Sequence, residues 1–200
     1  MSELESLVAE VSTCTRCLLH RGRTKAVPGA GPENADIMFV GEAPGFHEDQ
    51  QGLPFVGAAG SFLDELLESI DLKRDQVYIT NVIKCRPPGN RDPLPEEVEA
   101  CKSYLDRQIE LIQPKLVVTL GRFSMARAFP KARISRIHGQ PRKISGVIYY
   151  PMYHPAAALH QPSLRPIVED DMRRIPELIA QAAQMADSPL PVEAEQLKLF

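Results

Sequence analysis

Four cysteines, Cys14, Cys17, Cys85 and Cys101, are the only ones in the 200 residues. Cys14-Thr-Arg-Cys17 is a Cys-x-x-Cys pair, so two thiolates can grip one metal centre. Cys101 follows Cys85 by 16 residues, within a helical stretch. Without a secretory leader the chain is expected in a reducing compartment, where stable disulfides are rare. Four thiolates then suit Zn²⁺ or an iron–sulfur cubane. A zinc ribbon offers two tight Cys-x-x-Cys knuckles. Here the second pair is split, which suits the larger [4Fe–4S] cluster better and leaves zinc as the other option. Without a metal, the four would be buried thiols with an accidental Cys-x-x-Cys spacing.

A second set of chemical residues sits at the ends of apolar runs. Gly41-Glu42-Ala43-Pro44-Gly45 follows the run 36–41, Asn81 ends the run 77–82, and His154 follows the run 147–153. A carboxylate can hold a proton, an amide can read a polar edge, and an imidazole can donate to a developing anion. Each residue alone could do no more than cap a loop. Together they mark one functional rim if the runs are neighbouring parallel strands, because ligands of open α/β sheets bind beyond the carboxyl ends of the strands.

The elements that must position them follow from hydrophobic periodicity. Residues 2–12 read as an amphipathic helix with Leu4, Leu7, Val8 and Val11 on one side. Strands are predicted over 36–41, 77–82, 115–121 and 147–153, the last weakened by Pro151 and so placed at a sheet edge. Helices are predicted over 58–70, 95–112, from 121 through Ala128, and over 163–185, where Pro166 and Pro176 disturb the pattern. Strands alternating with helices imply a three-layer α/β/α sandwich around a four-stranded parallel sheet.

Hydrophobic residues make up 44% and charged residues 24%, a globular composition, and the apolar runs are too short to span a bilayer. A cytoplasmic location is expected. The net charge of −3 argues against a surface that attracts nucleic acid everywhere. The basic residues are nonetheless clustered: Arg21, Arg23 and Lys25; Lys84, Arg86 and Arg91; Arg133, Arg136, His138, Arg142 and Lys143. Each cluster alone reads as solvated surface. The loop 84–91 lies close to Asn81, so Lys84, Arg86 and Arg91 are candidates for phosphate contacts, which position a protein on DNA without reading sequence.

Taken in order, GEAPG at 41–45, Glu48-Asp49, Pro54-Phe55-Val56-Gly57, Thr80-Asn81-Val82, the cysteine set and His154-Pro155-Ala156-Ala157-Ala158-Leu159 resemble the family 4 uracil-DNA glycosylases over about residues 4–182. The resemblance implies the sandwich fold, a [4Fe–4S] cluster on the four cysteines, and a monomer that hydrolyses the bond between uracil and deoxyribose. It implies a flipped uracil stacked on Phe55 and read by Asn81 through O4 and N3–H. Gly41, Glu42, Ala43 and His47 would line the pocket, and His154 would stabilise the uracil anion at O2. Glu42 and Glu48 are both candidates for the carboxylate that positions water, with Glu42 preferred. Leu159 sits where related enzymes push an apolar wedge into the duplex, and could equally be core. Relatives that trap DNA covalently carry an insert that the short stretch 86–100 lacks, so turnover is expected. The alternatives are a non-catalytic or redox iron–sulfur DNA-binding protein, and an enzyme acting on free nucleosides.

The catalytic domain is expected to span 1–186. Residues 187–200 are Pro- and acid-rich and read as a flexible tail. It ends in Gln196, Leu197, Lys198, Leu199 and Phe200, which resemble the peptide by which bacterial repair proteins dock on the sliding clamp.

Overall fold

The computed structural model describes residues 2–188. The calls on Gln196, Leu197, Leu199 and Phe200 lie outside the described residues. Helix α1 (Glu3–Thr13) begins at a capping box: the Ser2 hydroxyl accepts from the Glu5 amide at 3.1 Å, and the Glu5 carboxylate takes the Ser2 amide at 2.7 Å. Strand β1 (Ile37–Gly41), helices α2 (Phe46–Gln51) and α3 (Ala58–Glu68), and strand β2 (Tyr78–Asn81) follow. Helix α4 (Pro95–Ile112) carries Pro95 in its first turn, with the Glu97 carboxylate on the Leu94 amide at 2.8 Å. It ends at Gln113 in the left-handed region, just before Pro114.

Strand β3 (Leu116–Leu120) leads into the single turn α5 (Arg122–Met125), then α6 (Ile134–Ile137). Strands β4 (Arg142–Ile144) and β5 (Val147–Met152) form a hairpin, followed by α7 (Pro155–His160), α8 (Arg165–Arg173) and α9 (Ile175–Gln181). The predicted helix over 163–185 is two helices, each with a proline in its first turn, where a missing N–H costs nothing. Helices α2 and α7 were not foreseen; both are short and follow the glycine- and histidine-bearing turns at the strand ends.

The sheet order is β2-β1-β3-β5-β4. Four strands are parallel, as expected, but the sheet has five: β4 pairs antiparallel with β5, Lys143 opposite Ile148. The four-strand expectation is corrected because Arg142-Lys143-Ile144 is too short and too polar to stand out as an apolar run. Pro151 is therefore not on the outermost strand. Its carbonyl accepts from Gly139 at 2.8 Å, on the side away from β3, and its ring nitrogen faces that same side past the end of β4, where no ladder bond is lost.

Alternation sorts the core into two layers. Phe39, Ile79, Val118 and Tyr150 face α3, α7, α8 and α9, whereas Met38, Val40, Tyr78 and Val117 face α1 and α4. The register pairs Gly41 with Asn81 and Leu120 with Met152, so the strands end level. No helix of the described residues is long and apolar enough to cross a membrane.

Candidate functional site

The level strand ends bring Gly41, Phe55, Asn81 and His154 together. Asn81 closes β2 on the face of Ile79, beside Gly41 on β1. Gly41 must lack a side chain: a Cβ there would come within 2.7 Å of the Phe55 ring and collide with Asn81 Oδ1. Phe55 is 6% exposed and holds a left-handed backbone (φ 52°), which a bulky residue adopts only when its surroundings insist. Gly60 supplies that insistence by letting the Phe55 carbonyl pack where a Cβ would stand. The Phe55 ring stacks on His154, with centroids 5.4 Å apart and planes 23° off parallel.

Asn81 is 1% exposed, and its Oδ1 has no hydrogen-bond partner. An orphaned buried acceptor costs roughly 1–3 kcal/mol, so such an atom marks a place for a ligand donor. Thr119 Oγ1, on the opposite face of the sheet, is likewise unpartnered, and we have no physical account of it.

His154 caps α7: its Nδ1 accepts from the Ala156 amide at 3.1 Å. Burial pulls the imidazole down to about 4, with the Glu48 carboxylate pulling the other way. A neutral ring whose Nδ1 is an acceptor carries its proton on Nε2, leaving that nitrogen as the donor.

The two candidate carboxylates differ. Glu48 Oε1 accepts from the amides of Val56 (2.8 Å) and Gly57 (2.9 Å), and Oε2 accepts from Gly45 (3.1 Å). It clamps the loop carrying Phe55 to the start of α2. Glu42 is half-buried; burial and nearby Asp92 hold its carboxyl above the usual range, against Arg122, which pairs with Asp92. His47 is exposed, its ring beside Gly57 and edge-on to Phe46. Ala43 is half-buried against the α1–α4 layer. Leu159 is 44% exposed on α7, which removes the core reading.

The four cysteines line one small cavity, together with Tyr104 and His20. Cys14 and Cys17 come from the end of α1, Cys85 from the loop after β2, and Cys101 from α4. All four are free thiols. Arg23 donates to Cys85 Sγ at 3.2 Å and the Arg16 amide to Cys14 Sγ at 3.4 Å, donors that would stabilise thiolates. Burial pushes Cys101 up to about 11. No three His, Cys, Asp or Glu side chains of the described residues converge closely enough for a single metal ion.

Lys84 is not a phosphate contact, contrary to the expectation from its basic neighbours. It is 1% exposed, and its ammonium is spent on three interior oxygens. Arg91 forms a two-pronged pair with buried Glu97 at 2.6 and 2.9 Å. Only Arg86 of that loop turns to the surface without a carboxylate, its Nε on Asn90 and its plane 5.2 Å from the exposed Phe46 ring. The basic clusters do not all converge on one rim: Arg23 serves Cys85, and Lys143 donates to the carbonyls of Ala182 and Met185 beyond α9. Phe46, at the start of α2, was missed by sequence reasoning; a lone aromatic after a glycine turn carries no periodic signal.

A mostly parallel sheet with a buried, unpartnered amide oxygen at its strand ends and a separate four-thiol cavity defines a class, and comparison with known proteins agrees. The family model described as "Uracil DNA glycosylase superfamily" matches residues 28–175, and the chain belongs to that superfamily. Within it the chain falls among the type-4 enzymes. It is 51% identical over 188 residues to a type-4 uracil-DNA glycosylase of Sulfurisphaera tokodaii, covering 89% of this chain and 86% of the relative. It is 50% identical to that of Archaeoglobus fulgidus (89% and 94% covered) and 45% identical to that of Saccharolobus solfataricus (90% and 88%). A type-5 enzyme of Pyrobaculum aerophilum is 34% identical over 66% of each chain.

Proposed function

We propose that this protein excises uracil from DNA by hydrolysing the N-glycosidic bond, with the residue roles that follow. Membership of the type-4 group carries the reaction. The buried, unpartnered Oδ1 of Asn81, wedged beside Gly41 and Phe55, carries the assignment of the site.

A base inside a duplex is out of reach, so the nucleotide must be extruded first. Leu159, exposed on α7 five residues past His154, occupies the gap in the helix, and Arg86 meets phosphate. The uracil stacks on Phe55 within the backbone of Gly41, Glu42 and Ala43; His47 stands at the rim. Asn81 Oδ1 takes N3–H while its amide donates to O4. Cytosine offers a lone pair and an amino group at those positions and is refused.

The bond between N1 and C1′ breaks with its electron pair going to uracil. The charge gathers at O2, where His154 Nε2–H donates. A neutral donor placed in advance, in a dry site, is worth roughly 3–4 kcal/mol. Glu42, free of backbone partners among the bonds that hold Glu48, accepts the proton of the water that attacks C1′. Its anionic form also opposes the sugar's positive charge. Glu48 holds the Phe55 loop.

Cys14, Cys17, Cys85 and Cys101 hold a [4Fe–4S] cluster in this reading. The support is the donor set: four free thiols around one cavity, brought there by the end of α1, the loop after β2 and α4. Bound there, the cluster supplies a four-point cross-link between α1, the loop after β2 and α4.

The test is a gel assay with matched oligonucleotides carrying uracil, cytosine or thymine, followed by alkali to cut abasic strands. Cleavage of the uracil strand alone, lost in Asn81→Ala, is expected. An inert wild-type protein showing absorbance near 400 nm would replace this reading with a redox or binding iron–sulfur protein. The C-terminal Gln196–Phe200 segment remains a clamp-docking proposal, tested by titrating the labelled peptide against the clamp with Leu199 and Phe200 replaced by Ala.

A further inference from the structure

Lys84 is a buried amine that the reaction does not use. Its Nζ donates to Thr80 Oγ1, to the main-chain oxygen of Asn81 and to Gln108 Oε1, each at 2.7 Å. Gln108 Nε2 donates onward to the Pro28 carbonyl at 2.6 Å and to the Tyr78 hydroxyl at 3.1 Å, and Thr80 Oγ1 reaches the Pro28 carbonyl at 2.9 Å. Thr80, Asn81, Lys84 and Gln108 are each at most 1% exposed. All three acceptors of the ammonium are neutral. Burying an ammonium is costly, and an apolar side chain of similar length could fill the space without that cost. Stability alone is therefore a poor account of the lysine.

The geometry of β2 gives a better one. β2 is the outermost strand of its side of the sheet. In a strand, the N–H and carbonyl of one residue point to the same side. Ile79 exchanges both of its hydrogen bonds with Ala30 on the outer side, away from β1. Asn81, two residues on, presents its carbonyl to that same outer side, where the Ala30–Ile79 bridge has already ended. Lys84 takes the place of the missing neighbour. The side chain of Asn81 stands on the α3–α7 face of the sheet, and the Thr80 and Gln108 groups that hold the ammonium stand on the α4 face.

We propose that Lys84 is a positioning residue for base recognition: it fixes the backbone of Asn81 from behind, so that the amide stays aimed at the flipped base. The inference rests on the reading of Asn81 as the uracil reader. Lys84 touches neither substrate nor reacting atoms.

The test compares affinities of the full chain with its four cysteines intact. One oligonucleotide carries 2′-fluoro-2′-deoxyuridine, which resists cleavage; the other carries a tetrahydrofuran abasic site in the same sequence. Base reading affects only the first, so the readout is the ratio of the two dissociation constants. A general loss of folding or DNA contact moves both and leaves the ratio unchanged. Lys84→Met is expected to lower the preference for the fluorouridine strand at least tenfold, with abasic binding within twofold. Thr80→Val, which removes one acceptor, is expected to lower it about threefold. Asn81→Ala is the control. If it leaves the ratio at the wild-type value, the reading of Asn81 fails and the inference falls with it. If Asn81→Ala abolishes the preference while folded Lys84→Met keeps it, the inference alone is overturned. Should Lys84→Met yield no folded protein, Thr80→Val decides: a lowered ratio supports the grip, and an unchanged ratio overturns it.

Discussion

The base site and the cysteine cavity are built on opposite plans. The base site stands on the ends of β1, β2 and β5, held level by ladder hydrogen bonds, with its aromatic and histidine already stacked and one acceptor left over for the ligand. The cysteine cavity gathers sulfurs from three segments, none of them joined by a ladder. Its thiols are harder to ionise than free ones where burial dominates, at Cys85 and Cys101. One region is built from its own strand ends; the other is the place of the proposed four-thiol cross-link. On the proposed reading, preorganisation serves catalysis in the first and cross-linking serves stability in the second.

Paired variants should separate the two most strongly. His154→Ala is expected to cut the single-turnover rate roughly 10²–10³-fold while lowering the melting midpoint only by the roughly 2–4 °C that loss of its α7 cap costs. Cys101→Ala should do the reverse at moderate temperature: loss of absorbance near 400 nm and at least about 3 kcal/mol of stability, roughly 6–12 °C in a chain this long. If Cys101→Ala melts like the wild type, the cavity is not a cross-link.

The carboxylates sharpen the contrast within the base site. Glu42→Gln should slow the chemistry roughly 10²-fold with unchanged melting, as removal of a general base does. Glu48→Gln loses a charged acceptor of three amides and should lower the melting midpoint and weaken uracil binding before it affects the rate. The reverse pattern would exchange their roles.

A smaller effect follows from His154. Its folded pKa is about 4, below the unfolded value near 6.5. Between these values the unfolded chain binds a proton that the fold refuses, so stability falls as pH drops from 6.5 toward 4 and is unaffected above 6.5. Between pH 6.5 and 5 the loss should be about 2 kcal/mol, and absent in His154→Ala. Equal slopes in urea melts of both proteins would contradict the buried neutral ring.

The smallest effect belongs to Arg86. Arg86→Ala should weaken binding to uracil-containing and undamaged strands alike, and flatten the salt dependence by about one unit of slope. A change in base preference instead would place Arg86 in the pocket.

Much of this was legible in residue types. Apolar runs ending in Gly41, Asn81 and His154 put a glycine, an amide and an imidazole on one rim, because parallel strands share the end at which ligands bind. The cysteine spacing pointed to a shared centre, and the four thiols do line one cavity. Less legible were Lys84, whose neighbours in sequence are cationic but whose side chain turns inward, and β4, too short and charged to show a period.

The sequence by itself determined the four parallel strands, the polar residues at their ends and the four thiols, since those follow from local period and chemistry. Only the tertiary structure decided which partner each group meets. Glu48 is occupied by amides from Gly45, Val56 and Gly57, Lys84 by an oxygen of α4, and Phe55 is held in a left-handed turn by Gly60. Those meetings depend on strand register and helix packing, which bring together residues whose separation along the chain carries no local signal.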